Sequence, residues 1–591
     1  MALSTHHTRD RPDLQLPRQL EGQLLDSMPQ RRCSFPVASA WSQSRSCQVA
    51  RPGRGAGACF SSDMTTSPTK MKSHGKTHKP SMLEFMGLAG NFSHLNLKDP
   101  FHVKKRGSTY QTEVRAGVTT FLAMAYILPV NSGMLSLVIP NMRQQLVCAT
   151  ALASFLGWFM GILSNYPFML APGMGTNAFF TFSVCMGMGL SYEEAFAAVF
   201  CAGLIFMALS ITGLRTLMIR LFPEGIKEPI GAGVGLFLCF IAFQSSEGLG
   251  ISVADKATLV TLNSLGSSNY DSAKLWLSLA VLILTATLFA AKVPGAPLVG
   301  IIFGTVVTWI EGWSRGVEGS MLGYPFGTEG DRSVEDFHIY VPTGLLATPT
   351  LEGLSGALWS GFSAAGNEKA ATFWGAVLTF CYTDLLDSSG TFFAVAKVAG
   401  LTDSRGNLPL ARQNMAYLAD AIAALCGSML GVSTVATFAE STAGVADGAK
   451  TGLATLVTGV CFLFAIPFAP VVSAVPPLAS GPILCLLGAL MCSAVMGIPW
   501  HDYEESMPAF VAMVTMPFTF SIGYGIIFGL LLWVAIQLLL IPLRLFRKQK
   551  PFVKFQELWA GVFVEGLEDE HSEAELDTDV GSSEGSDASL A

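Results

Sequence analysis

The sequence predicts an all-α, polytopic membrane protein with fourteen transmembrane segments in two seven-segment repeats of inverted topology. Three observations carry that expectation. Of 591 residues, 51% are hydrophobic and only 13% charged, against roughly 25% charged in an ordinary soluble domain. Between residues 110 and 545 the chain is a succession of apolar runs separated by short polar breaks, each run about 17–25 residues, the length a helix needs to cross a hydrocarbon core of roughly 30 Å. The third run of each half is interrupted at a matching place. A closed β-barrel, the other way to satisfy backbone groups in lipid, would show alternating stretches of about ten residues, and none is present.

The two ends read differently from the middle. Residues 1–100 form a polar tail, expected to be disordered and cytosolic; its stretch from Ser27 to Ser62 has Arg but no acid and no Lys, as a transit peptide would, whereas Asp10, Asp13, Glu21 and Asp26 favour an ordinary tail. Residues 546–591 form a second cytosolic tail. Its end, "LEDEHSEAELDTDVGSSEGSDASLA", holds nine acids and no Lys or Arg, and supplies much of the formal net charge of −7. Such a composition stays solvated and disordered. Of twelve cysteines, three (Cys33, Cys47, Cys59) lie in the first tail and most of the rest in apolar runs, with no Cys-x-x-Cys pair; free thiols are expected, with neither a disulfide framework nor a metal site.

The first repeat, residues 101–313, carries spans near 114–137, 144–164, 170–188, 194–214, 229–245, 274–291 and 297–313. A polar extracytosolic loop over 314–370 follows. The second repeat, residues 371–545, carries spans near 372–396, 411–430, 431–447, 452–469, 480–497, 506–521 and 523–545. Lys104, Lys105 and Arg106 before the first span, and Arg544, Arg547, Lys548 and Lys550 after the last, place both termini in the cytoplasm by the positive-inside bias. Arg215, Arg220 and Lys227 fit an inner loop, while the breaks near 190–195 and 470–480 have no Lys or Arg. The expected location is the plasma membrane, or a plastid envelope if the first tail is a transit peptide.

The interrupted runs are segments 3 and 10. One opens "LAPGMGTNAFF", with Pro172, Gly173 and Gly175; the other, "LGVSTVATFAESTAG", is rich in Gly, Ser and Thr and carries Glu440. Small residues also permit close helix packing. Paired breaks, one bearing an acid, instead mark short extended stretches where an inverted-repeat carrier holds its substrate near the bilayer midplane.

The eighth span contains "FCYTDLLDSSGTFF", whose Asp384 and Asp387 fall near its centre. Phe380, Asp384, Asp387 and Thr391 share one helix face. A charge at that depth costs at least about 2.5–3.5 kcal/mol on insertion scales, so such acids face the bundle interior, pair, or line a polar cavity. Burial and like charge disfavour ionising both at once, so one can carry a proton, as a proton-coupled carrier requires. Glu440 and the Asn177 amide add acceptors and donors that suit a planar heterocycle. Phe179, Phe180, Phe380 and Phe438 offer ring faces, although a phenylalanine in a span is more often packing. Asp420, early in the ninth span, is as compatible with a helix-to-helix tie as with a site, and the loop "WHDYEESMPAF" reads as a solvated turn. No Walker phosphate loop, Gly-x-Ser-x-Gly elbow or His-Glu-x-x-His helix occurs, so neither ATP hydrolysis nor another enzymatic activity is expected.

"TTFLAMAYILPVN", "APGMGTNAFF", "TDLLDSSGTFFAVAKVAGLTD", "STVATFAESTAGVADGAKTGL" and "SMPAFVAMVTMPFTFSIGYGI", in that order, resemble the signature stretches of the AzgA-like adenine, guanine and hypoxanthine permeases, within the nucleobase/ascorbate transporter superfamily. The resemblance covers about residues 85–545. It implies proton symport of purine bases, with the proton as coupling ion and no other cofactor, and a fold of core (segments 1–4 and 8–11) and gate (5–7 and 12–14). It also implies a site of Asn177, the acids of "TDLLDSSGT" and Glu440. Asp384 is assigned to the substrate, alongside Phe179 and Phe438 as stacking faces; Asp387 is assigned to the proton, with Asp384 as the alternative carrier. Thr176 stands where Leu is usual, Phe179 where Tyr is, and Lys450 where Arg is. The partners implied are a purine base, protons and the lipid bilayer, without nucleic acid; a homodimer stays open. The alternatives are a relative moving uracil, xanthine or a small anion and, further off, a channel.

Overall fold

The computed structural model describes residues 99–547, apart from 216–217, 219–223, 245–247, 256–258, 264–269, 320–321, 323–341, 343, 355 and 402–409. Nearly all of both expected tails, residues 1–98 and 548–591 with Lys548 and Lys550, lies outside the described residues, as does much of the 314–370 loop.

The chain is built of helices, as its apolar runs require. The first segment is two helices, α1 (Tyr110–Met124) and α2 (Ile127–Ser136), separated by a kink at Ala125 and Tyr126. Pro129 in the first turn of α2 has no N–H to donate across it. The second segment is α3 (Arg143–Phe155) and α4 (Trp158–Ser164). Segment 3 is a short strand β1 (Leu170–Pro172), a short helix α5 (Met174–Ala178) and a π-helical stretch over Phe179–Gly187. Then follow α6 (Tyr192–Ile211), started by a Ser191/Glu194 capping box, and α7 (Glu224–Phe243). A hairpin of β2 (Ser252–Asp255) and β3 (Leu259–Leu262) leads to α8 (Tyr270–Ala290) and α9 (Ala296–Gly319).

After a short α10 (Ala357–Gly361), the second half repeats the plan: α11 (Ala370–Val398) and α12 (Leu410–Leu430), then the strand β4 (Val435–Thr437) and the short helix α13 (Ser441–Ala446). It closes with α14 (Gly452–Ala465), α15 (Ala469–Ser473), α16 (Pro477–Met491), α17 (Tyr503–Thr519) and α18 (Ile522–Phe546). Among the described residues, eight helical spans are long and apolar enough to cross a membrane. Segments 3 and 10 are split, as expected. The fifth, eighth, ninth and thirteenth expected segments are helical but too short or too polar for that measure, so the count of fourteen rests on the sequence pattern.

The interrupted segments meet. β1 and β4 pair antiparallel, with Leu170 opposite Thr437, Ala171 opposite Ala436 and Pro172 opposite Val435. Two further bonds continue the ladder, Gly173 N–H to the Thr434 carbonyl and Phe438 N–H to the Met169 carbonyl, both 3.0 Å. An antiparallel pair centred on two alanines is the local geometry that inverted halves produce.

Close backbone approach fixes the packing around this pair. A Cβ on Gly161 of α4 would stand 2.5 Å from the Gly452 carbonyl oxygen, and one on Gly452 would stand 2.3 Å from that of Gly161. Both lie far inside van der Waals contact, so α4 and the start of α14 can cross there only without side chains. Gly161→Leu should therefore force the helices apart. We expect destabilisation of about 1–3 kcal/mol or more, seen as a lower melting temperature and less monodisperse protein in detergent, with the exposed Val460→Leu as the neutral control.

Candidate functional site

The β1/β4 pair delivers two short helix starts side by side, with α11 packed across β4, α5 and α13. Each residue expected at a site can be placed on this frame. Asn177, on α5, is fully buried and belongs to a chain of side chains. Its Nδ2 donates to Asn131 Oδ1 of α2, its Oδ1 accepts from Ser433 Oγ beside β4, and Asn131 Nδ2 donates to Thr150 Oγ1 of α3 at 2.8 Å. The amide thus ties segment 3 to segments 1 and 10. Glu440 immediately precedes α13 and is partly exposed; its Oε1 accepts the Tyr126 hydroxyl from the kink between α1 and α2.

Asp384 lies near the middle of α11, buried, with Ser388 Oγ 3.3 Å from its Oδ1. Asp387 is one turn on and partly exposed. Among the described residues no hydrogen bond joins either aspartate to Asn177 or Glu440. Phe179 and Phe380 are fully buried and pack on each other edge to face at 5.1 Å, which brings segments 3 and 8 into contact; Phe180 packs on Phe196 at 4.9 Å. Phe438 is buried at the end of the strand pair, its N–H held by Met169.

A second cluster stands behind the aspartates. Arg215, expected in a solvated inner loop, is instead 1% exposed. Its guanidinium donates to Asp420 Oδ2 at 2.8 Å and to the Tyr417 carbonyl at 3.4 Å, and lies 4.2 Å from the Tyr417 ring and 4.9 Å from the Phe206 ring. Asp420, expected early in its span, sits in the middle of α12, and among the described residues its Oδ1 has no hydrogen-bond partner. Asp384 is within electrostatic reach of Asp420, Arg215 and Asp387. The correction has a physical cause: a guanidinium one turn past the end of α6 can enter the bundle because a carboxylate and two aromatic faces replace its water. The signal available in the sequence was a mid-span acid, Asp420, and one basic residue near a helix end with which to match it.

Tyr126, Asn131 and Ser433 also belong to this frame; all three fall inside the quoted signature stretches, but nothing in their local spacing marks them as site residues. Among the described residues, the buried hydroxyls of Thr383 on α11 and Thr434 before β4 have no hydrogen-bond partner. The described residues contain no group of three or more His, Cys, Asp or Glu able to hold a metal ion.

The family described as a permease family (Xan_ur_permease) matches residues 111–528. The efflux pump notK' of Aspergillus versicolor is 35% identical over 73% of this chain and 80% of its own length. The guanine/hypoxanthine permease PbuG of Bacillus subtilis is 36% identical over 74% of this chain and 93% of its own. The adenine permease AdeP of Escherichia coli is 33% identical over 73% and 88%. Among solved structures, the transmembrane domain of a cyanobacterium bicarbonate transporter aligns over 71% of this chain and 97% of its own, at 15% identity and a TM-score of 0.48.

The buried ion pair generates a prediction. Arg215→Met leaves the Asp420 charge buried and uncompensated, which should cost about 3–5 kcal/mol. Adding Asp420→Leu should recover most of the lost melting temperature in the purified full chain, because the pair as a unit is close to replaceable by apolar groups.

Proposed function

This chain belongs to the permease family that its residues 111–528 match, and from that membership we propose that it is a proton-coupled symporter importing adenine, guanine and hypoxanthine by alternating access. One observation carries the proposal: two interrupted segments, paired strand to strand, present an amide and a carboxylate beside a helix that bears two further carboxylates. Broken helices meeting within a bundle are where carriers of this architecture hold substrate and coupling ion. The purine permeases among its relatives support the substrate class.

In this proposal Asn177, Asp384 and Glu440 hold the edge of the base through donors and acceptors, and Phe179 and Phe438 bound its plane. Asp387, less enclosed than Asp384, exchanges the coupling proton, with Asp384 as the alternative carrier. No other cofactor is involved. The Arg215–Asp420 pair, neutral as a unit, places a third carboxylate near the two aspartates. Both termini face the cytoplasm, as Lys104, Lys105, Arg106, Arg544 and Arg547 at the two ends of the bundle favour, and the plasma membrane is the assigned location. A second reading, export in place of import, is favoured by the efflux pump among the relatives.

Labelled adenine, hypoxanthine and uracil, offered to cells lacking their own carriers with and without a protonophore, test the proposal. Purine accumulation that collapses with the protonophore is expected. Uptake of uracil alone, purine uptake indifferent to the protonophore, or faster loss of preloaded purine would overturn it. Asp387→Asn should abolish accumulation while base binding persists, and Glu440→Gln should raise the concentration for half-maximal binding about tenfold or more, as loss of a charge-assisted hydrogen bond does. Unchanged apparent affinity in Glu440→Gln would refute the role given to that carboxylate.

A further inference from the structure

Three segment ends come together on the face of the bundle assigned to the cytoplasm: the turn before α1 carries Arg106, the stretch after α4 carries Tyr166, and the first turn of α12 carries Arg412. Tyr166 is 1% exposed, its ring stacked on Phe168 at 5.1 Å and edge-on to Phe392 at 5.9 Å, yet among the described residues its hydroxyl has no hydrogen-bond partner. Arg106 is partly buried. Its Nη1 donates to the carbonyls of Asn165 and Lys450 at 2.6 and 2.7 Å, while its Nη2 is buried and, among the described residues, also without a partner. Arg412 is partly exposed and makes no hydrogen bond or ion pair among the described residues. The two guanidiniums and the hydroxyl lie within electrostatic reach of one another.

The cluster has an excess of positive charge. Burial, and after it the Arg412 charge, pushes the Arg106 guanidinium down to about 10. One carboxylate, Glu113, lies within reach of Arg106, at the start of α14, where it accepts the N–H groups of Lys450 and Thr451 at 3.0 and 3.3 Å. A single acid thus faces two guanidiniums. Water can satisfy a lone hydroxyl, but it leaves that charge in place, whereas an anion answers the unpaired donors and the charge together. The first turn of α12 adds backbone N–H groups and the positive end of a helix dipole. Donors converging from three separate segments suit a tetrahedral oxyanion, with guanidinium forks matched to its edges. We infer that Arg106, Tyr166 and Arg412 form a binding site for a phosphate-type oxyanion, either a free phosphate group or the headgroup of an anionic lipid. The site shares no residue with the one assigned to the base. An anion there ties the entry turn of α1 and the end of α4 to α12, and so stabilises the packing of segments 1, 2 and 9.

The test melts the purified full chain in detergent with increasing inorganic phosphate, against sodium chloride of equal ionic strength, and separately with a short-chain phosphatidic acid, against the matching phosphatidylcholine. A saturable rise in melting temperature is expected. A rise with inorganic phosphate assigns the site to a free anion, and a rise with phosphatidic acid alone assigns it to the lipid headgroup. Arg412→Gln should raise the concentration for half-maximal stabilisation about tenfold or more, the loss of one charge-assisted hydrogen bond. Tyr166→Phe keeps the ring and removes the hydroxyl. Without anion its melting temperature should be no lower than that of the unaltered chain, since a buried unpaired hydroxyl has been removed, whereas its anion affinity should fall about three- to tenfold. If Arg412→Gln does not fold, Tyr166→Phe decides alone. No saturable rise with either anion, or half-maximal concentrations unchanged in the variants, overturns the inference. So does a Tyr166→Phe chain destabilised equally with and without anion, the mark of a purely structural hydroxyl.

Discussion

A backbone that stops being helical inside a hydrocarbon layer must find another partner for each N–H and C=O, since water is not there to supply one. Here each interruption is satisfied by the other. The three residues Leu170–Pro172 and the three residues Val435–Thr437 exchange their main-chain bonds, and the ladder is extended by Gly173 and Phe438. Neither stretch would be tolerable alone at several kcal/mol per orphaned group. Once they are paired, the helix starts of α5 and α13 are fixed beside each other, and with them Asn177 and Glu440. The amide and the carboxylate of the two broken segments are hung on that short ladder.

The side chains then repeat the backbone's solution. Segment 1, itself kinked, reaches one broken segment through Asn131 and the other through Tyr126, while Ser433 joins the two broken segments directly. A single neutral hydrogen bond contributes only about 1 kcal/mol net, but leaving such a group unmade in the interior costs about 1–3 kcal/mol, so a linked set resists partial loosening. The Arg215–Asp420 pair follows the same rule for charge, with Tyr417 and Phe206 closing over the guanidinium. Asp384 therefore lies beside a buried ion pair as well as beside a polar crossing.

The class of fold was legible because apolar run length is a direct consequence of bilayer thickness, and the breaks because Pro172, Gly173 and the Ser/Thr-rich stretch around Glu440 contradict a helix locally. The face shared by Phe380, Asp384 and Asp387 followed from helical period alone. What these faces meet did not. The register of Ala171 on Ala436 depends on a contact between distant parts of the chain, for which local spacing carries no signal. Arg215 shares a basic pattern with Arg220 and Lys227 that reads as a loop, and its burial is decided by a carboxylate on another helix. Tyr126 is one more aromatic in an apolar run, and only the fold shows that its hydroxyl meets Glu440. Phe179 and Phe380 were grouped as ring faces, and their edge-to-face contact was invisible without the crossing of segments 3 and 8.

The strand pair also sets an order of events at the ribosome. The partner of Pro172 emerges about 260 residues later, which at ~5–20 residues per second is roughly 13–50 s of synthesis. For that interval the first interrupted segment has inserted, or begun to, with its hydrogen-bonding edge unanswered. It must be sheltered by the insertion machinery, by water, or by a provisional partner such as segment 1. The two halves are thus inseparable in biogenesis: the first half cannot complete its own interior until the second has been made.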